Sequence, residues 1–504
     1  MPPAATEPEH GPRSSLELLK LLKPFTSRAA LAVYTVLALG FAAEHSGRLA
    51  PLAIFHALPG QEPTGRARLE PAAVVGEAKI TTQTETRSEL SQPDSAALEA
   101  ARARLAGAAA QAGDVALPAI DAQEPPLPLA DATGRALDGF FRALTATAHK
   151  QPHAITRIAH FGDSIVVSDL VSGTLRRKLQ AQFGDSGHGF MLIANAWPAY
   201  FHNDVTRFAT AGWSVSRIVG PYAEDGLYGY GGVSFKADRN TLARFGTAKT
   251  GEFGRNVSRF VLDYLADPSG GSLQLSIDGV PQRLVDTHGA AKKSASFTVD
   301  VPDGAHELEV YTKSGVSRAF GVVMERDTPG VVLDALGVQG ARIRFMDKQD
   351  DAHWAEQLAW RKPDLLIYEF GANESGDGFL YSMADYHRTM KDVIAQGQRA
   401  LPQSSCLVIG AMDRAAKVGD EIVSMRVIPS LVAEQRAAAA ELGCAFFDTY
   451  TAMGGAHSMP TWVRRGLGQA DMTHPTSIGS EVIGNWVFRA LMKGYNAQLK
   501  AARP

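Results

Sequence analysis

Ile155-Thr156-Arg157-Ile158-Ala159-His160-Phe161-Gly162-Asp163-Ser164 is the stretch on which the fold turns. Its first seven residues form a short β-branched and apolar run bounded by polar residues, the pattern of a buried strand. Beyond it Val167, Val171, Leu175, Leu179 and Phe183 recur every fourth residue with Leu170 between them, which is one apolar face of a helix. Ser164 is therefore expected on a strand-to-helix turn at the carboxyl edge of a parallel sheet, where the first free N–H groups of the helix point at whatever binds. The tetrapeptide returns at Phe183-Gly184-Asp185-Ser186, after the last turn of that helix and with Arg176, Arg177 and Lys178 near its carboxyl end. There Gly184 reads as a helix C-cap and Asp185-Ser186-Gly187 as loop, so Ser164 is the candidate nucleophile of the two.

A serine nucleophile needs a base, a group that orients the base, and donors for the oxyanion. Ala470-Asp471-Met472-Thr473-His474-Pro475-Thr476-Ser477-Ile478-Gly479 precedes an apolar-periodic segment through Val482, Ile483, Trp486 and Leu491. An aspartate three residues before a histidine, in a loop about to enter a helix, can turn back to accept the imidazole Nδ1–H and leave Nε2 free for the serine proton. Between the two lies Asp364-Leu365-Leu366-Ile367-Tyr368-Glu369-Phe370, a buried-strand pattern ending in Gly371-Ala372-Asn373-Glu374. An asparagine at the carboxyl end of a central strand can donate its amide to a developing oxyanion.

Taken together, Gly-Asp-Ser after the first strand, Gly-x-Asn-Glu after a later one and Asp-x-x-His-Pro-x-x-x-Gly before the last helix resemble the GDSL/SGNH hydrolase superfamily. The resemblance implies Ser164, Asp471 and His474 as a catalytic triad, with an oxyanion hole made by the Ser164 N–H, a glycine N–H and the Asn373 side chain. Glu374 departs from the commoner Gly-x-Asn-Asp form and is similar to the branch that includes peptidoglycan O-acetylesterases. Two glycines compete for the oxyanion role, Gly232 in Tyr230-Gly231-Gly232-Val233 and Gly340 in Gly337-Val338-Gln339-Gly340-Ala341-Arg342. The donor should follow a sheet strand, which favours Gly340 after Val331-Val332-Leu333-Asp334-Ala335-Leu336, although the same residue would also serve as a plain strand terminator.

That choice leaves about 140 residues between the first helix and the next strand of the sheet, far more than an ordinary connection. The pattern there changes to short alternating runs, Ser258-Arg259-Phe260-Val261-Leu262-Asp263-Tyr264, Ser272-Leu273-Gln274-Leu275-Ser276-Ile277, Ser294-Ala295-Ser296-Phe297-Thr298-Val299 and Glu307-Leu308-Glu309-Val310-Tyr311. Turn signals separate them at Asp267-Pro268-Ser269-Gly270-Gly271, Asp278-Gly279 and Pro302-Asp303-Gly304, the signature of an antiparallel β-sandwich or jelly roll. An insert at this place also resembles the peptidoglycan O-acetylesterase branch, where it is similar to a carbohydrate-binding module. Trp197, Tyr200, Phe201, Trp213, Tyr222, Tyr228 and Tyr230 are available either to stack on sugars or to fill the sandwich core.

With 504 residues and 45% hydrophobic content the chain exceeds one ordinary domain and is globular in composition. A formal charge of -3 leaves no electrostatic footprint for nucleic acid or an anionic membrane surface. No Walker sequence, no Gly-x-Gly-x-x-Gly after a strand and no clustered Cys/His ligands occur, so neither cofactor nor metal is expected. Residues 29–43 are uncharged and apolar, preceded by Lys20, Lys23 and Arg28 and followed by Glu44. They read as an uncleaved membrane anchor with a cytoplasmic amino terminus, with a signal peptide or a buried soluble helix as the other readings. Between Phe55 and Phe140 there is no aromatic residue, and Pro, Gln, Thr, Ala and Glu abound, which describes a tether with an Ala-rich helix from about residue 94 to 110. Cys406 and Cys444, the two cysteines, lie in strand-like runs and read as buried thiols rather than a disulfide.

The expected architecture is thus an α/β protein, a three-layer α/β/α SGNH-hydrolase fold on a parallel sheet with an inserted antiparallel β-sandwich. Its segments are 1–28 cytoplasmic, 29–50 membrane anchor or signal, 51–135 flexible linker, 136–189 with 329–504 catalytic, and 190–328 inserted sandwich with a possible carbohydrate-binding role. The resemblance implies a serine esterase that removes O-acetyl groups from peptidoglycan or an exopolysaccharide, held on the periplasmic side of the inner membrane or secreted. Lipase-like, thioesterase or acetyltransferase chemistry on the same triad, and glycan binding without catalysis, are the competing readings.

Overall fold

The computed structural model describes residues 125–238, 240–419 and 421–501. The expected anchor, the segment before it, the Ala-rich helix and most of the tether lie outside the described residues. Among the described residues no helix is long and apolar enough to cross a membrane.

The chain opens with α1 (Asp138–Ala148), β1 (Ile155–Gly162), α2 (Ser164–Val167) and α3 (Val171–Phe183). It then leaves the first sheet for eleven strands: β2 (Gly189–Leu192), β3 (Val205–Ala209), β4 (Ser214–Arg217), β5 (Val233–Ala237), β6 (Leu242–Thr247), β7 (Val257–Ala266), β8 (Ser272–Ile277), β9 (Val280–Asp286), β10 (Lys293–Gly304), β11 (Glu307–Ser314) and β12 (Ser317–Glu325). It returns with β13 (Gly330–Gly337), α4 (Asp351–Arg361), β14 (Leu365–Glu369), α5 (Ala372–Asp377), α6 (Met383–Ala400) and β15 (Ser405–Ile409). A small hairpin, β16 (Ala415–Val418) with β17 (Glu421–Ser424), precedes α7 (Ile428–Glu441), β18 (Ala445–Phe447), α8 (Thr449–Met453), α9 (Ser458–Arg464) and the long α10 (Ser477–Ala501).

The first sheet has the order β13-β1-β14-β15-β18 with every pairing parallel. Its strands are apolar throughout, as a sheet covered on both faces requires. Alternation along each strand distributes their side chains to two cores. Ile158, Leu365, Ile367, Leu407 and Phe447 join α1, α3 and α10 through Phe140, Leu175, Phe183 and Leu491. Ala159, Phe161, Leu366, Tyr368 and Val408 join α4, α6 and α7 through Trp354, Leu358, Met390 and Leu431. Helices on both faces make this the three-layer α/β/α arrangement.

The helix expected after Ser164 is broken. α2 stops at Val167, and Asp169 takes a left-handed backbone (φ 48) before α3 begins. The cause is the Asp169 carboxylate, which is buried and accepts from Arg176 Nη1 and Nη2 at 2.9 and 2.8 Å and from the Asn203 N–H at 3.1 Å. Arg176, expected near a helix end for its charge alone, is instead the buried partner of this carboxylate. Gly184 caps α3 as expected, with φ 113.

The insert forms two antiparallel sheets, β10-β7-β12-β5-β4 with β2 added on β12, and β3-β6-β11-β8-β9. β11 shows why they face each other: Leu308, Val310 and Thr312 are buried while Glu307 is exposed and Glu309 and Tyr311 are partly covered. Asp278-Gly279 makes the β8–β9 hairpin turn with φ 52 and 78, the positive pair a two-residue turn needs. Pro302-Asp303-Gly304 is not a turn between strands but the bulged end of β10, whose register shifts between Asp300 and Gly304. Most of the aromatics are core: Trp197, Tyr200, Trp213, Tyr228 and Tyr230 are buried, whereas Phe201 and Tyr222 are exposed.

Cys406 and Cys444 are joined as a disulfide, with a Cα–Cα separation of 4.7 Å, contrary to the expectation of free thiols. β15 and β18 pair in parallel with Leu407 opposite Ala445, which places the residues just before them side by side. That adjacency depends on a strand order that no local pattern encodes.

Candidate active site

Four segments converge at the carboxyl edge of the parallel sheet. Gly162 closes β1 where a side chain has no room, since a Cβ there would come within 2.4 Å of Val166 and 2.7 Å of the Glu369 carbonyl oxygen. The next residue, Asp163, caps α2 by accepting from the Ile165 N–H at 3.1 Å and also accepts from the Ala372 N–H at 3.2 Å. One carboxyl thus ties the amino ends of α2 and α5 together. Ser164, the first residue of α2, has no acceptor for its N–H within that helix.

The loop before α10 supplies the partners. Ser164 Oγ lies 2.8 Å from His474 Nε2, and His474 Nδ1 lies 2.6 Å from Asp471 Oδ2. Asp471 Oδ1 accepts from the His474 and Thr473 N–H groups, each at 3.0 Å, so the loop is folded around its own carboxylate. Partial burial raises the Asp471 pKa, but the hydrogen bonds from His474 and Thr473 outweigh this and hold the carboxyl below its ordinary range. The His474 and Asp471 side chains are 32% and 47% exposed, which leaves the cluster open at the surface.

The third segment follows β13. Gly340 has φ 82, a backbone that glycine adopts freely, and its N–H has no hydrogen-bond partner among the described residues. The loop is fixed beside it by Asn373 Nδ2, which donates to the Ala341 carbonyl at 2.9 Å and keeps its second amide hydrogen free of that bond. Gly232, the other glycine considered, sits within the insert. Its N–H donates to the Gly229 carbonyl at 2.8 Å, and Ile218 packs against it.

Two features of the site go beyond what the sequence shows: the anchoring role of Glu374, legible there only as a motif departure, and Arg414. Glu374 is buried and accepts from the Ile343 N–H at 2.7 Å, so α5 is fastened to the loop after Gly340 from both Asn373 and Glu374. Burial pushes the Glu374 carboxyl up to about 7 against that hydrogen bond, and pushes Asp163 up to about 8, with Glu374 and Glu369 adding to the rise. Arg414, in the loop after β15, donates to the Ala372 carbonyl at 2.6 Å and to Ser375 Oγ at 3.2 Å, while the next residue, Ala415, donates its N–H to the Met472 carbonyl at 3.0 Å. It therefore bridges α5 and the Asp471 loop. Its only sequence cue is its place after a sheet strand.

A second cluster lies under the insert. Asp169, His188 and His202 bring potential ligand atoms within 4.8 Å of one another. Asp169 is already engaged with Arg176 and Asn203, and the two histidines hydrogen-bond each other, His188 Nε2 with His202 Nδ1 at 2.8 Å, while the buried His188 Nδ1 has no hydrogen-bond partner among the described residues. The Arg176 guanidinium beside them opposes a further cation.

No protein-family model matches this chain, and no curated protein matches it. Among solved structures it is similar to a peptidoglycan O-acetylesterase, at 22% identity and TM-score 0.63 over 73% of this chain and 99% of that one. A family two carbohydrate esterase from Cellvibrio japonicus aligns at 13% identity and TM-score 0.25 over 58% of this chain and 98% of its own. An acetylxylan esterase from Geobacillus stearothermophilus aligns at 16% and 0.25 over 32% of this chain and 73% of its own. The first likeness is one of fold, and it fits the architecture of this chain: a parallel sheet between two helical layers with an inserted pair of antiparallel sheets.

Proposed function

We propose that the protein is a serine esterase that removes O-acetyl groups from a cell-envelope polysaccharide, peptidoglycan or an exopolysaccharide, through an acyl-enzyme. The observation that carries this is the hydrogen-bonded series Ser164 Oγ, His474 and Asp471, at 2.8 and 2.6 Å, at the carboxyl edge of the sheet. His474 Nε2 takes the hydroxyl proton as Ser164 Oγ attacks the ester carbonyl, while Asp471 holds the imidazole by Nδ1–H. The oxyanion of the tetrahedral intermediate is held by the Ser164 N–H, the Gly340 N–H and the free hydrogen of the Asn373 amide. Collapse breaks the C–O bond to the sugar, and His474 gives the proton to the departing sugar oxygen, which leaves as a free hydroxyl. Water then attacks the acetyl-serine with His474 again as base, releasing acetate and restoring Ser164.

The substrate class rests on two supports. A similar solved structure is a peptidoglycan O-acetylesterase. The partly exposed His474 and Asp471 side chains also put the site at the surface, where a long polymer could reach it. Export is supported by the Cys406–Cys444 disulfide, since such bonds persist in oxidising compartments, and by the apolar run at residues 29–43. We place the enzyme on the periplasmic side of the inner membrane, anchored by that run or secreted after its removal.

The test is acetate release from O-acetylated peptidoglycan and from acetylated xylan or alginate, beside Ser164→Ala and p-nitrophenyl esters from acetate to octanoate. Release that requires Ser164, with rates falling steeply beyond short acyl chains, is the expected result. Brisk cleavage of octanoate with no acetate from any glycan would refute the carbohydrate assignment.

A further inference from the structure

One groove beside the candidate site belongs neither to the triad nor to the oxyanion donors. It has a volume of about 500 Å³, and its walls include Ser168, Arg177, Phe201, Asn203, Ile478 and Glu481. It is continuous with the reacting groups along the chain. Ser168 follows the last residue of α2, which begins at Ser164, and Ile478 stands on the first turn of α10, four residues after His474.

The wall carrying Phe201 comes from the insert, between β2 and β3, and it is fastened to the catalytic layer with unusual thoroughness. Ser168 Oγ donates to the Ala199 carbonyl at 3.0 Å. The Asn203 N–H and side chain donate to Asp169 Oδ2 and to the Asp169 carbonyl at 3.1 and 2.6 Å. Arg176 and Arg177 reach Asp204 at 3.1 and 3.3 Å. Underneath, the Tyr200 hydroxyl meets His202 Nε2 at 2.8 Å, and His202 continues to His188. Tyr200 and His202 are thus buried on either side of Phe201, whose ring stays 56% exposed. A phenylalanine so exposed between two anchored residues has its hydrophobic surface left for something else.

Ile478 faces the same groove and is 63% exposed. Leu170 adds a third, partly covered apolar group, and around the three stand hydroxyls from Ser168, Thr174 and Ser477, the Asn203 side chain, one cation and one anion. A fatty acyl chain would call for a mostly apolar lining, whereas six of the nine lining residues here are polar or charged. A sugar ring presents one C–H face to an aromatic plane and hydroxyl or amide groups around its rim, and this lining offers a partner for each.

We propose that the groove is a glycan subsite in which Phe201 stacks on the sugar unit next to the one whose ester lies at Ser164. This rests on the O-acetylesterase reading and adds to it that the polymer runs from the sheet edge across the face shared with the insert. Phe201 is then a specificity residue supplied by the insert, and the buried Asp169–Arg176 pair positions it.

The experiment measures kcat/KM of the full chain for O-acetylated peptidoglycan strands and for acetylated xylan, each relative to p-nitrophenyl acetate, which spans no second sugar. Phe201→Ala is expected to lower the ratio of polymer to p-nitrophenyl acetate about tenfold, mostly through KM, as loss of one aromatic contact worth about 1.4 kcal/mol would. Phe201→Trp should hold the ratio near the wild-type value, and Ile478→Ala should lower it in the same sense. Thermal melts of each variant accompany the kinetics. An unchanged ratio in Phe201→Ala, or a loss common to all substrates, overturns the subsite while leaving the esterase reading intact. A wild-type protein that cleaves p-nitrophenyl acetate but releases no acetate from any polymer overturns the carbohydrate reading, and the subsite with it.

Discussion

Asp163 is where the amino ends of α2 and α5 are held in register, because its carboxyl oxygens accept from Ile165 and Ala372 at once. Burial lifts its pKa to about 8, above the roughly 3.9 of an unfolded aspartate, so the native state binds the proton more tightly. Stability from this group is full below about pH 4 and is lost as pH rises through about 8. Asp163→Asn removes that titration but leaves one backbone N–H without an acceptor. It should be less stable than wild type by about 1 kcal/mol near pH 5, with the deficit shrinking or reversing toward pH 8 in urea midpoints. A deficit constant across that range would show that the carboxyl does not titrate there. Asn373→Ala is expected to lower kcat by about 10²–10³ on p-nitrophenyl acetate with little change in KM, as removal of one oxyanion donor does. The places of Ser164, Asn373, Asp471 and His474 in the fold were each legible because their surroundings are local: a strand end, a helix start, a three-residue return. Arg414 was not, since what it bridges, Ala372 and the loop of Asp471, is brought together only by the sheet.

At the scale of elements, two departures share one origin. The apolar repeat from Val167 to Phe183 reads as one helix, and a buried ion pair between Asp169 and Arg176 divides it into α2 and α3. Periodicity reports which face is buried and is silent on an ion pair seven residues apart. The cysteines were misread for a similar reason: Cys406 and Cys444 look like buried thiols until β18 is laid beside β15. Closing a loop between residues 38 apart removes chain entropy from the unfolded state. The Cys406→Ser, Cys444→Ser double variant should lose roughly 2–4 kcal/mol in denaturant midpoints, and dithiothreitol should lower the wild type to the same level. Because β18 lies at the sheet edge remote from β1 and β13, the kcat of folded double variant at low temperature should stay near wild type. Wild-type stability that is indifferent to reductant would show that the bond contributes nothing.

For the whole molecule the question is whether the insert is a module or part of the frame that carries the Ser164–His474–Asp471 series. The change from helical spacing to short alternating runs made the insertion readable, but its fusion to the parallel-sheet layer rests on contacts between distant residues. Phe161 on β1 meets Tyr230 of the insert at 6.2 Å as well as Trp354 and Tyr368 at 5.7 and 5.8 Å, and one continuous core runs through both parts. A buried charge network crosses the same boundary. Arg361 of α4 binds Asp334 of β13 at 2.7 and 2.9 Å and also contacts Glu325 of β12, which Arg157 of β1 holds at 2.9 and 2.8 Å, while the Tyr230 hydroxyl donates to Asp334. Replacing residues 190–328 by a short Gly/Ser linker would strip the partners from Arg157, leave Arg361 with Asp334 alone, and uncover Phe161 and Trp354. Leaving each large apolar side chain exposed costs about 1.5–3 kcal/mol, and the loss of the shared core removes many at once, so the excised protein should lack a cooperative thermal transition and lose p-nitrophenyl acetate hydrolysis altogether. A tethered binding module would behave otherwise: its removal would spare hydrolysis of the small ester and the melting of the remaining domain, and impair only turnover of the polymer. A chain starting at residue 125 supplies the matched control, and it should melt cooperatively with its small-ester activity intact, since every contact named above lies within it.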